Sequence, residues 1–218
     1  VSDVKANRTR RQYRSPTRDE NARRTRQAIV AAASELFVER GYTATSLADI
    51  AAAAGVARPT VFAAFGAKSA LLRQILDQAL AGDDQPVAVA DRPWFRPVWE
   101  AATPGAALDA YAEVCVIIGR RAARLFEVVR RAADDAPEAA ELWQTLQANR
   151  LAGAAMVVTH LQKLGDLAPG LTTRQATDTL WFFNDPAHYA ALVLQRSWPE
   201  STFRDWLARR MRQALLPI

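Results

Sequence analysis

The groups best able to do chemistry in this chain are cations gathered at one end. Residues 1–26 hold nine basic side chains (Lys5, Arg8, Arg10, Arg11, Arg14, Arg18, Arg23, Arg24 and Arg26) against three acids (Asp3, Asp19 and Glu20). That is a local charge of +6; the other nineteen cations and twenty acids leave −1. Such a cluster suits contact with a polyanion, most often nucleic acid, and a solvated tail is the plainer alternative. Nucleophiles and metal ligands are scarce. One cysteine, Cys115, permits no disulfide within the chain and no cysteine-built zinc site, and two histidines, His160 and His188, are too few for a multi-histidine centre. The chain carries no G-x-S-x-G, P-loop, H-E-x-x-H or C-x-x-C motif. The acid pairs Asp83-Asp84 and Asp134-Asp135 fall in turns and read as caps or solvated loops. The expectation is a protein with no catalytic residues, no metal and no cofactor.

The elements that must position these groups all read as helix. Half of the 218 residues are hydrophobic and 23% are charged, enough to bury a core. Apolar runs such as Val114 to Ile118 are far short of the roughly 20 residues of a membrane span. The polar, basic first residues predict no secretory leader, so a soluble, cytoplasmic protein is expected. No period-2 alternation argues for a sheet.

Residues 1–17 are almost devoid of hydrophobic content and read as a flexible arm. Thr17 and Glu20 can form a capping box for a first helix, with Ile29, Ala33, Leu36 and Phe37 on one face and Gly41 beyond its end. Thr45 or Ser46 caps a short second helix that Gly55 ends, and Pro59 opens a third that stops at Gly66. A fourth helix spans roughly Lys68 to Leu80, and the prolines at 86, 93, 97 and 104 forbid a long helix across 82–104. Thr103-Pro104 opens a long helix whose face carries Leu108, Tyr111, Cys115, Leu125 and Val129; Pro137 opens the next, with Leu142, Leu146, Gly153, Met156, His160 and Leu164 on one side. Thr172 with Gln175, Asp185-Pro186 and Pro199 open the last three.

Two short helices flanking Gly55 form a helix-turn-helix pattern. Ala51 is small where the helices meet, Gly55 permits the sharp turn, and Val61 fills the angle. The wider string is more specific: Leu36-Phe37-Val38-Glu39-Arg40-Gly41-Tyr42, then Thr45-Ser46-Leu47-Ala48-Asp49-Ile50-Ala51, Ala54-Gly55-Val56, Thr60-Val61-Phe62 and Phe65-Gly66-Ala67-Lys68, closing with Leu71-Leu72. Residues 26–72 in this register resemble the TetR family of bacterial transcriptional regulators. The stretch from Leu180 to Leu216, with Trp181, Pro186, Tyr189, Trp198 and Trp206, is similar to the regulatory domain of many actinobacterial members.

The resemblance implies an all-α chain: a helix-turn-helix DNA-binding domain over 18–67, then a helical effector-binding and dimerisation domain over 68–218. It implies a homodimer whose third helices enter the major groove of a palindromic operator, at half-sites ~34 Å apart or somewhat more. Arg58 and Thr60 would meet bases or phosphates, with Arg58 suited to bidentate guanine readout, and Pro59 and Phe62 complete that face. Thr45 and Ser46 would offer hydroxyls and N–H groups to phosphate. Lys68 matches the family's phosphate-contacting lysine, and Arg14 and Arg18 would track DNA from the arm. The sequence departs from the pattern at Ala57, which cannot cap the third helix, at Pro59 where a small residue is usual, at Phe62 where a tyrosine usually binds phosphate, and at Ala64 where histidine is common.

In the family, the second domain binds a small, often apolar effector and dimerises through its last helices. Candidate effector contacts are Trp99, Tyr111, Cys115, Phe126, Trp143, Met156 and His160; core packing is the plainer reading of each. Leu180, Trp181, Phe203 and Trp206 are candidates for the dimer interface. The reading is therefore a repressor released from DNA by effector binding. A DNA-binding dimer without effector is the first alternative and an all-α enzyme the second.

Overall fold

A computed structural model describes residues 16–217, with side chains from residue 20 onward. Ten α-helices follow in chain order among the described residues, without a strand. They are α1 (Pro16–Arg40), α2 (Leu47–Ala53), α3 (Arg58–Phe65), α4 (Lys68–Ala81), α5 (Arg96–Trp99), α6 (Pro104–Ala132), α7 (Pro137–Leu164), α8 (Thr173–Phe183), α9 (Pro186–Tyr189) and α10 (Glu200–Leu215). No single described helix is long and apolar enough to cross a membrane.

Local sequence rules set most of these ends. Ser46 caps α2 and forms a reciprocal box with Asp49, and Thr172 does the same with Gln175 for α8. The Thr103 hydroxyl caps α6 by accepting from the Ala106 N–H, with Pro104 behind it. Gly55 takes φ +67° in the turn after α2, a conformation that strains any residue with a Cβ.

One helix and one face differ from the sequence expectation. The side chain of Thr17, expected to cap α1, lies outside the described residues. α9 is a single turn that widens into a π-helical segment over Ala190–Gln195 instead of continuing as α-helix to Leu194. On α7 the buried face runs Ala139, Leu142, Leu146, Ala154, Val157, Val158 and Leu161; Met156, expected on that face, is 51% exposed. The stripe turns by about one residue after Leu146, where a cavity replaces packed neighbours (below).

The hydrophobic interior has two lobes. The first joins Ile29 and Phe37 of α1, Ile50 of α2, Val61 of α3 and Leu71, Leu72, Ile75 and Leu76 of α4 to Leu125, Phe126 and Val129 of α6 and Leu142 of α7. The second joins Leu108, Tyr111 and Val114 of α6 to Val157 and Leu161 of α7, Leu180 of α8 and Phe203, Leu207 and Met211 of α10. With 29 residues, α6 is roughly 43 Å long and supplies both lobes. The apolar core thus runs without a break through residue 68, because α4 packs on α1 and α6 together.

Candidate functional site

α2 and α3 are bent 109° to each other, within the range of a helix-turn-helix. Ala51 and Val61 are buried at their junction. Nothing caps α3 from a side chain; its N-cap is Ala57, and Pro59 occupies the first turn. The exposed surface of α3 carries Arg58, Pro59, Thr60, Ala63 and Phe62, the last 64% exposed. The Arg58 guanidinium makes no hydrogen bond or ion pair among the described residues.

The other expected DNA contacts divide. Ser46 is exposed, and its N–H and hydroxyl both donate to Asp49 (2.9 and 2.6 Å), which holds that carboxyl below its ordinary value. Thr45 is a correction: it is 1% exposed, and its hydroxyl turns inward to the carbonyls of Gly41 (2.8 Å) and Leu36 (3.3 Å), satisfying the end of α1. Lys68 is half-buried. Its ammonium donates to the carbonyls of Tyr42 (2.7 Å) and Thr45 (2.9 Å) and lies 4.2 Å from the centroid of the Tyr42 ring. Two of its three protons brace the loop before α2, leaving one for a phosphate. Burial lowers its pKa. Arg14 lies outside the described residues, as do the side chain of Arg18 and the arm over 1–15.

One basic residue of the N-terminal cluster acts inside the fold. Arg26 donates to the Ala64 carbonyl at the end of α3 (2.6 Å) and to the Gln74 side chain on α4, and its guanidinium lies 4.2 Å from the centroid of the Phe65 ring. It staples three helices, a role its place in a charge run concealed.

A cavity of about 800 Å³ opens between α4, α6, α7 and the segment 83–90. Five expected effector contacts line it: Trp99, Tyr111, Cys115, Phe126 and Met156. Two do not. Trp143 lies behind Phe126, ring edge to face at 6.4 Å, within the first core lobe. His160 sits beyond Trp99, edge to face at 5.2 Å, in a shallower hollow on the outer side of α7; its Nε2 is buried without a partner among the described residues. Sequence periodicity placed His160 with Met156 on one face but could not say that Trp99 would separate it from the larger cavity.

Polar groups that the sequence did not single out complete the cavity: Gln74, Asp77 and Gln78 from α4, Arg150 from α7 and Asn184 after α8. Desolvation raises the Asp77 carboxyl, and it pushes the Cys115 thiol up to about 12, which keeps that thiol protonated and unreactive at neutral pH. The wall over 83–90 is held by Arg92, a buried guanidinium whose Nη1 donates to both Asp83 carboxylate oxygens (2.7 Å each), while Nη2 and Nε donate to the carbonyls of Gln85 (2.8 Å) and Val87 (3.1 Å). Trp99 Nε1 adds a bond to the Ala90 carbonyl (2.7 Å).

The expected dimer contacts are partly corrected. Leu180 and Phe203 are buried in the protomer's own second core lobe. Trp181 and Trp206 are half-buried, Trp206 stacked against Phe203 at 6.0 Å. The large apolar side chains left open on this half are Leu151, Met156, Phe182 and Leu194.

The described chain is thus a helix-turn-helix head on an all-helical body with an internal cavity. Residues 29–75 match the family model of bacterial regulatory proteins, tetR family, a stretch that contains the helix-turn-helix head. It is 45% identical over 53 residues to the HTH-type transcriptional repressor ComR of Escherichia coli (strain K12), covering 24% of this chain and 25% of that one. The match thus spans about a quarter of this curated relative's length. The fold as a whole is similar to NalD, the secondary repressor of the MexAB-OprM multidrug efflux pump in Pseudomonas aeruginosa (TM-score 0.65, 23% identity, 89% of this chain and 98% of that one). It is also similar to SmeT in its triclosan complex (TM-score 0.68, 19% identity, 88% and 91%). ComR and NalD are both named as repressors.

Proposed function

We propose that this protein is a cytoplasmic, homodimeric transcriptional regulator, a repressor that reads a palindromic operator through α3 and is released from it by a small, largely apolar effector held in the cavity. The DNA-reading head comprises residues 18–67, with the basic arm over 1–17 adding phosphate contacts, and residues 68–218 hold the effector and form the dimer. The observation that carries this reading is the exposed α3 face: Arg58 without a partner among the described residues, beside Thr60 and an open Phe62 ring, on a helix bent 109° from α2. Arg58 suits guanine O6 and N7, and Phe62 suits a thymine methyl. Ser46 and Lys68 supply phosphate contacts at the flanks.

The release mechanism is a shift of population. α4 lines the cavity through Gln74 and Gln78, and Gln74 bonds Arg26, which bonds the end of α3. An occupant that displaces α4 therefore pulls on the recognition helix. Selection of bound duplexes from a random pool tests the reading. An enriched inverted repeat is the expected result, with Arg58→Ala losing about ten- to hundredfold in affinity at unchanged thermal stability. A pool without enrichment overturns it. A DNA-binding dimer without effector is the second reading, favoured if no compound that fills the cavity changes operator affinity.

A further inference from the structure

The polar end of the cavity is a chain of hydrogen bonds whose direction is fixed by chemistry. Arg150 is almost fully buried at its side chain and pairs with Asp185 at 2.9 Å. Its Nη2 donates to the Trp181 carbonyl (2.7 Å), and its Nε donates to Asn184 Oδ1 (3.1 Å). A guanidinium can only donate, so the Asn184 oxygen must face it. The amide nitrogen of Asn184 then faces the other way, toward two acceptors: Tyr111 Oη at 3.0 Å and the Arg150 carbonyl at 3.4 Å. The opposite amide orientation would set oxygen against carbonyl oxygen and nitrogen against guanidinium.

The consequence falls on Tyr111, a buried residue of the cavity wall. Its phenol oxygen is committed as an acceptor to Asn184. No group among the described residues accepts its proton. Burial raises its pKa, so the proton stays on the oxygen across the working range. A buried O–H without an acceptor costs free energy until a partner arrives.

We infer that Tyr111 is the polar anchor of the effector cavity and acts there only as a hydrogen-bond donor. The occupant is then a largely apolar molecule bearing an acceptor oxygen, a carbonyl or ether, at the end that meets Tyr111. Arg150 is not the site of an anionic ligand, because Asp185 neutralises it and four of its five N–H donors go to Asp185, Asn184, Gln147 and the Trp181 carbonyl. It is a positioning residue: it sets the Asn184 amide, which sets the phenol. Apolar wall such as Phe95, Trp99, Val114 and Phe126 takes up the rest of the molecule. The inference rests on the reading of the cavity as the effector site.

Benzophenone and diphenylmethane are near-isosteric probes that differ in one acceptor oxygen. Titration of each into the full chain, followed by tryptophan fluorescence, reads both affinities, since Trp99 lines the cavity. The expected result is about tenfold tighter binding of benzophenone, with the advantage lost in Tyr111→Phe and diphenylmethane binding unchanged. The infrared C=O stretch of bound benzophenone should lie at lower wavenumber in the wild type, as a hydrogen-bonded ketone does; this readout needs no variant to fold. Equal affinities, a free-carbonyl frequency in the wild type, or an advantage that survives in Tyr111→Phe overturns the assignment of Tyr111 while the cavity stands. Binding of neither probe overturns the cavity as an apolar effector site, and the inference with it.

Discussion

The Tyr42 hydroxyl donates to the Glu138 carboxylate at 3.0 Å, tying the loop before α2 to the first turn of α7. Lys68 lies against the same tyrosine ring from the start of α4 and holds the carbonyls on either side of the loop. Three segments meet here: the loop before α2, the helix that lines the cavity, and the N-terminus of a body helix. Glu138 is held below its ordinary value by its own backbone N–H first and by Tyr42 second, and an acid at this end of α7 also complements the helix dipole.

Tyr42→Phe removes one hydrogen bond and keeps the ring, so it should cost about 1 kcal/mol. Lys68→Met removes two charge-assisted bonds to carbonyls and should cost about 2 kcal/mol. The two share Tyr42, so their effects should not add. Urea denaturation of the single and double variants checks this. Strict additivity would mean that the two residues do not act as one brace.

Arg92→Met should free the segment over 83–90. The segment is exposed over 83–88 and makes no other side-chain bonds of comparable number among the described residues, so its order depends on the Arg92 guanidinium. The loss should be about 2 kcal/mol in stability, with faster amide exchange confined to this cavity wall. Hydrogen exchange with mass spectrometry reads it, and unchanged protection over 83–90 would refute the clamp.

Gly119 marks the close approach of α6 to α9. A Cβ at this position would lie 2.5 Å from Cγ of Tyr189, at the root of the ring, where a rotamer change cannot make room. Gly119→Ala should therefore destabilise by about 2 kcal/mol despite its better helix propensity. Tyr189→Leu in the same chain should return part of the loss, as measured by denaturant midpoints.

Acid should weaken the fold through Glu127 and Glu200. Arg130, then Arg131, holds Glu127 at about 2 against an ordinary 4.5, and Arg120 with Tyr189 holds Glu200 at about 2 likewise. Both carboxyls bind protons less readily folded than unfolded. Their stabilisation is present above pH about 4.5 and drains away as pH falls toward about 2. Asp77 runs the other way, since burial raises it and protonation favours the folded chain. Denaturant midpoints measured down this range should fall, and Glu200→Gln should flatten the slope.

The sequence by itself determined the helices, their caps and the helix-turn-helix register. Ser46 with Asp49, Thr172 with Gln175 and Gly55 in its turn all depend on neighbours three or four residues away, and apolar spacing follows the helical repeat. The family resemblance lay in the same local string. Only the tertiary structure decided which groups were already spent. Thr45 turned its hydroxyl to Gly41 and Leu36, Lys68 gave two protons to the Tyr42–Thr45 loop, and Arg26 left the charge run to staple α1, α3 and α4. Leu180 and Phe203 went to the core, Trp143 fell behind Phe126, and Arg150, Asn184 and Tyr111 became one directed chain. The reason is one of range. A cap or a stripe is satisfied within a turn or two of its own helix, whereas a buried donor takes its partner from whatever distant segment packs against it.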